Sequence, residues 1–131
     1  MKLTIPFYLQ KVGAGFPSPA TDYIEDDLDL NSHLIKNAPA TFIIRVQGKS
    51  MRDVGIYDGD LLIVDKSIDP GNFSTVIANI NEELVVKTLI KEKGISYITS
   101  GSKNISEKIN LIENPEIIIW GVVTYVIHKQ Q

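Results

Sequence analysis

The sequence predicts a mainly β protein: a compact, partly rolled antiparallel fold behind an extended N-terminal arm. Three observations carry that prediction. From residue 41 onward, short runs of β-branched and aromatic residues recur, separated by Gly, Asn and Asp. Helical periodicity is nearly absent over the same stretch. Pro6, Pro17 and Pro19 all fall within the first 20 residues, and each lacks an amide donor and fixes φ. Many short strands with little helix pack best as a closed or rolled sheet.

Taken in order, residues 1–20 read as the extended arm and residues 21–131 as the β domain. In "DYIEDDLDLNSHLIKNAPA" the spacing predicts a short helix near 31–36, capped by Asn31 or Ser32 and ended by Pro39. "TFIIRVQG" (41–48) alternates Phe42, Ile44 and Val46 against Ile43, Arg45 and Gln47, the period of a strand. "GDLLIVDK" is a second strand, and "STVIANI" with "ELVVKTLI" is a hairpin turning at Asn81 to Glu83. "GISYIT" and "IIIWGVVTYVI" (117–127) add two more. The last run is expected to lie at a sheet edge, where it would invite pairing with a second copy of the chain.

Composition narrows the function. A chain of 131 residues, 44% hydrophobic and 22% charged, has enough apolar material for one core. With 13 basic against 16 acidic residues it lacks the excess charge of a protein that grips nucleic acid over a broad basic face. The absence of cysteine excludes disulfides, thiolate zinc sites and a cysteine nucleophile. Pro6, Gln10 and Lys11 interrupt any signal-peptide core, and 117–127 is well short of the ~20 residues of a membrane helix. The expected location is therefore cytoplasmic. No cofactor is expected, and no metal: Asp58 and Asp60 read as turn residues before a strand. His33 and His128 show no partner pattern in the sequence and read as surface residues, and "EDDLD" reads as a solvated acidic face.

Two residues carry candidate chemistry. In "RVQGKSMRD", Ser50 follows a strand and a backbone-freeing Gly48. In "ELVVKTLI", the period of two puts Val85, Lys87 and Leu89 on one face and Val86 with Thr88 on the other. A lysine on an apolar face either extends its ammonium to water or gives up the charge. A neutral amine can take a serine proton, so a lysine can replace histidine as the general base. Each residue alone also has an ordinary reading, as a turn serine and as a strand lysine reaching solvent.

"GKSM", "DGDLLIVD" and "VVKTL", in that order and at that separation, resemble the self-cleaving serine-lysine peptidase domain shared by UmuD, the LexA repressor and phage repressors. "AGFPSPATDYIEDDLDLN" resembles the cleavage-site segment of the UmuD-like branch, with Ala14–Gly15 as the matching bond. Only 14 residues precede Gly15, too few for the DNA-binding helices of the repressors. The resemblance implies a LexA/signal-peptidase-like fold in which Ser50 attacks the Ala14 carbonyl. Lys87 would serve as base, and the backbone N–H groups of Ser50 and Met51 as oxyanion donors. It also implies a homodimer, stimulation by the RecA–single-stranded-DNA filament in the SOS response, and a UmuC-type translesion polymerase subunit as partner. Direct sequence-specific DNA binding and membrane attachment are not implied. Lys49, the proline-free "TSGSKNISEKI" and "GNFSTVIA" depart from the family pattern. Two alternatives stay open: a non-cleaving binding subunit of the same fold, and a signal-peptidase relative.

Overall fold

The computed structural model describes residues 4–8, 13–15, 24–101 and 107–130. Contacts divide the chain into two compact units, residues 1–36 and residues 37–131.

In the first unit, β1 (Thr4–Tyr8) pairs antiparallel with β2 (Ile24–Asp29), Ile5 opposite Leu28 and Pro6 opposite Asp27. Each strand of a two-stranded ribbon keeps an open edge, where a proline without an amide donor is tolerated. This pairing was not foreseen, because prolines in the sequence argue only against helix and central strand. The short helix α1 (Leu30–Leu34) follows directly. Its cap is Asp29, not Asn31 or Ser32. The Asp29 carboxylate accepts from Asn31 N at 3.2 Å and from Ser32 Oγ at 2.9 Å. Asp29 ends a strand and so already holds the extended backbone that an N-cap requires.

Among its described residues the second unit holds seven antiparallel strands: β3 (Thr41–Arg45), β4 (Leu61–Asp65), β5 (Thr75–Ile80), β6 (Glu83–Glu92), β7 (Ile95–Thr99), β8 (Ile109–Asn110) and β9 (Ile118–Ile127). Their order across the sheet is β3-β4-β9-β5-β6-β7-β8. The mainly β, antiparallel architecture is the one the sequence predicts. The β5–β6 hairpin turns at Asn81 and Glu82, with φ of 51° and 66°. Two consecutive left-handed residues define the turn whose twist matches paired strands.

β9 is not an edge strand. Residues 118–122 pair with β5 and residues 122–127 with β4, so Val122 lies opposite both Val76 and Asp65. Register shifts at Ile63/Val64 and Ile77/Ala78 flank this handover, and such irregularities sharpen local twist. Gly121 permits the close approach, since a Cβ there would overlap Val64 Cγ1. A run of β-branched residues with no polar alternation suits an interior strand better than an edge.

Strand alternation sorts the core into two clusters. Val46, Met51, Ile56, Leu62, Val64 and Ile77 form one; Val76, Ala78, Leu89, Ile98 and Val122 form the other. Each fully buried side chain of this size contributes ~1.5–3 kcal/mol of transfer free energy. Among the described residues no helix is long and apolar enough to cross a membrane.

Candidate active site

The loop after β3 is held by backbone pairing before it reaches the serine. Val46 N donates to Asp60 O, and Gly59 N donates to Val46 O, both at 2.8 Å. Gly48 then takes φ of 108°, closed to most side chains, and its N–H donates to Asp58 Oδ1 at 2.8 Å. The chain next turns through Lys49 and Ser50 into a short 3-10 turn at Arg52–Val54. Met51 is 3% exposed and sits in the first core cluster, whereas Ser50 stays on the surface. A buried neighbour thus fixes the backbone on which an accessible hydroxyl stands. The N–H groups of Gly48, Arg52, Val54, Gly55 and Ile56 all have acceptors. Among the described residues, those of Ser50 and Met51 have none.

The two aspartates of "YDGDLLI" shape this loop. Asp58 holds Gly48. Asp60 is buried, accepts from Tyr57 N at 2.8 Å through Oδ2, and meets His128 Nδ1 at 2.6 Å through Oδ1. The Tyr57 N–H first, and the His128 contact second, hold the Asp60 carboxyl below its ordinary range. His128 therefore has a partner, contrary to the sequence reading. The two residues lie on segments 68 positions apart, and only the β4–β9 pairing brings them together.

Lys87 lies on β6 opposite Val76. Val85 and Leu89, its neighbours on the same face, pack in the second cluster while Val86 packs in the first, so the predicted alternation holds. The Lys87 side chain is half-buried. Its Nζ donates to Ser100 Oγ at 2.8 Å, not to Ser50. Ser50 and Lys87 nonetheless line one cleft of about 340 Å³, whose walls include Ile44, Val46, Ile77 and Val86. The mixed walls, with Arg45 and Gln47 beside the aliphatic side chains, and the volume suit a few small residues of a peptide.

A second connection joins the two sides of this cleft. Gly101 N donates to Met51 Sδ at 3.0 Å. Gly101 has φ of 68°, and a Cβ there would overlap the Asp53 carboxylate. The segment after β7 is thereby tied to the loop that carries Ser50. Sequence reading missed Ser100 and Gly101; "TSG" after a strand looks like any turn. Ala14 and Gly15 are exposed in a bend of the first unit, with open space where a Gly15 Cβ would stand. The "FPSPA" motif (16–20) lies outside the described residues.

A mainly β domain with a serine and a lysine on one cleft fits a peptidase-type fold. The comparisons carry this further: the family model described as Peptidase S24-like matches residues 6–124, and the chain belongs to that family. Protein ImpA of Salmonella typhimurium is 41% identical over 124 residues, covering 95% of this chain and 83% of that protein. Protein MucA of Escherichia coli is 39% identical over 133 residues, covering 93% and 83%. The LexA repressor of Mannheimia succiniciproducens is 33% identical over 120 residues, covering 91% of this chain and 56% of the repressor. The resemblance to UmuD-like proteins of the LexA/UmuD family is borne out.

Proposed function

We propose that this chain is a self-cleaving serine peptidase of the SOS response, cut between Ala14 and Gly15. The observation that carries the reading is the placement of Ser50 and Lys87 on one cleft. In this mechanism the Lys87 amine takes the Ser50 hydroxyl proton as Oγ bonds to the Ala14 carbonyl carbon. The resulting oxyanion is met by the N–H groups of Ser50 and Met51. The tetrahedral intermediate collapses, the bond to Gly15 N breaks, and Lys87 returns its proton to that amine. Water then hydrolyses the ester on Ser50, with Lys87 again as base.

Stimulation by a RecA–single-stranded-DNA filament, and union of the shortened product with a UmuC-type polymerase subunit for translesion synthesis, complete the proposal. With β9 interior, the homodimer is supported by family resemblance alone. The test is the intact mass of the purified protein, alone and with RecA, an ATP analogue and single-stranded DNA. A product beginning at Gly15 is expected from the wild type and from neither Ser50→Ala nor Lys87→Ala. Full-rate cleavage by either variant would remove the mechanism. A wild-type chain that stays whole under every condition would favour a binding subunit that does not cleave.

A further inference from the structure

We propose that Ser100 is the positioning residue of the site: its hydroxyl fixes the Lys87 amine so that the free lone pair faces the cleft shared with Ser50. This role rests on the serine-lysine reading above. Three independent features of the structure support it.

The first is the contact itself, Lys87 Nζ to Ser100 Oγ at 2.8 Å. The second is the way the fold delivers the hydroxyl. In the β6–β7 ladder Thr88 lies opposite Thr99. One step further along an antiparallel pair places residue 100 opposite residue 87, and opposite residues project to the same face. Ser100 thus meets Lys87 through backbone register rather than through the reach of a flexible side chain. The third is the anchoring of the next residue. Gly101 is tied to Met51 Sδ and confined by its φ and by Asp53. The backbone that carries Ser100 is therefore referenced to the backbone that carries Ser50.

The chemistry explains why a lysine base needs such a partner. A neutral amine has two N–H bonds and one lone pair on a freely rotating Cε–Nζ bond. If one N–H is donated to Ser100, rotation is restricted, and the lone pair is left for the serine proton. A side chain with four rotatable bonds would otherwise sample many positions in which the lone pair points away. Threonine could supply the same hydroxyl, while valine matches threonine in shape and supplies none.

The test compares Ser100→Thr with Ser100→Val in the full chain. Self-cleavage is followed as a first-order rate, thermal midpoint by calorimetry, and Lys87 side-chain order by ¹³Cε relaxation. Ser100→Thr is expected to cleave within a few-fold of wild type. Ser100→Val is expected to be slower by roughly 10- to 100-fold, the scale of an ångström-level misplacement of a reacting group. Its thermal midpoint should match that of Ser100→Thr, and its Lys87 order should be lower. Equal rates for the two variants, faster cleavage by Ser100→Val, or Lys87 order unchanged in Ser100→Val would overturn the proposal. Cleavage by Lys87→Ala at the wild-type rate would remove the serine-lysine reading itself. An inactive Lys87→Ala beside a fully active Ser100→Val would remove only the positioning role. A wild type that never cleaves would remove both.

Discussion

Truncating Met51 should separate the packing of the serine loop from its chemistry. Met51 is 3% exposed and lies among Val46, Ile56, Leu62, Val64 and Ile77. Met51→Ala removes three heavy atoms from a site walled by strands β4 and β5, which cannot collapse to fill the space. The expected cost is ~3 kcal/mol, within the range for buried Met-to-Ala changes. A domain of this size has about 5–15 kcal/mol of stability, so the variant should fold. Its midpoint should fall by on the order of 10–25 °C. Met51→Leu keeps the volume and should lose under ~1.5 kcal/mol, but it also removes the sulfur that accepts from Gly101 N. Urea unfolding can be followed by Trp120, the single tryptophan, which packs against the same cluster. Amide exchange reports Gly101. Both variants should exchange the Gly101 amide faster, with only Met51→Ala strongly destabilised. A loss below ~1 kcal/mol for Met51→Ala, or unchanged Gly101 exchange in Met51→Leu, would refute the account of how the loops are joined.

Four further outcomes are expected. Gly15→Glu should leave the fold intact, because the space beside Gly15 is open; it should block cleavage by placing bulk and charge at the bond, and intact mass reports it. The depressed Asp60 carboxyl contributes stability that is present above its unfolded value of ~3.9 and lost as pH falls through its lower folded value. The stability difference between wild type and Asp60→Asn should therefore be largest near neutrality and shrink below about pH 4, as acid-dependent urea titrations would show; a difference that grows in acid has the wrong sign. Glu82 occupies a left-handed turn position, so Glu82→Gly should gain up to about 1 kcal/mol, the strain relieved less the added chain entropy, and a lower melting midpoint contradicts it. Gly121→Ala should cost about 1–3 kcal/mol through overlap with Val64, read by the same unfolding curves.

The sequence by itself determined the parts of this protein that depend on local pattern. Period-two alternation marked β3 and the face of Lys87 on β6, and short β-rich runs marked the other strands through β7, because side chains alternate on any strand whatever lies beside it. The family resemblance, now supported by the match over residues 6–124, singled out Ser50 and Lys87, which the structure sets on one cleft. Partners across the sheet were another matter. The run at 117–127 reads as a strand whose lack of polar alternation suits the interior, but only the pairing of Val122 with both Val76 and Asp65 shows which strands flank it. The pairing of His128 with Asp60 spans 68 positions, and no local signal marks either residue. Ser100 resembles a turn residue until the β6–β7 pairing, which ends at Thr88 and Thr99, brings its hydroxyl to Lys87 Nζ. Local pattern fixes which face a side chain takes, because that is set by its own backbone. What the side chain meets there is set by strand order and register, which are properties of distant segments packed together.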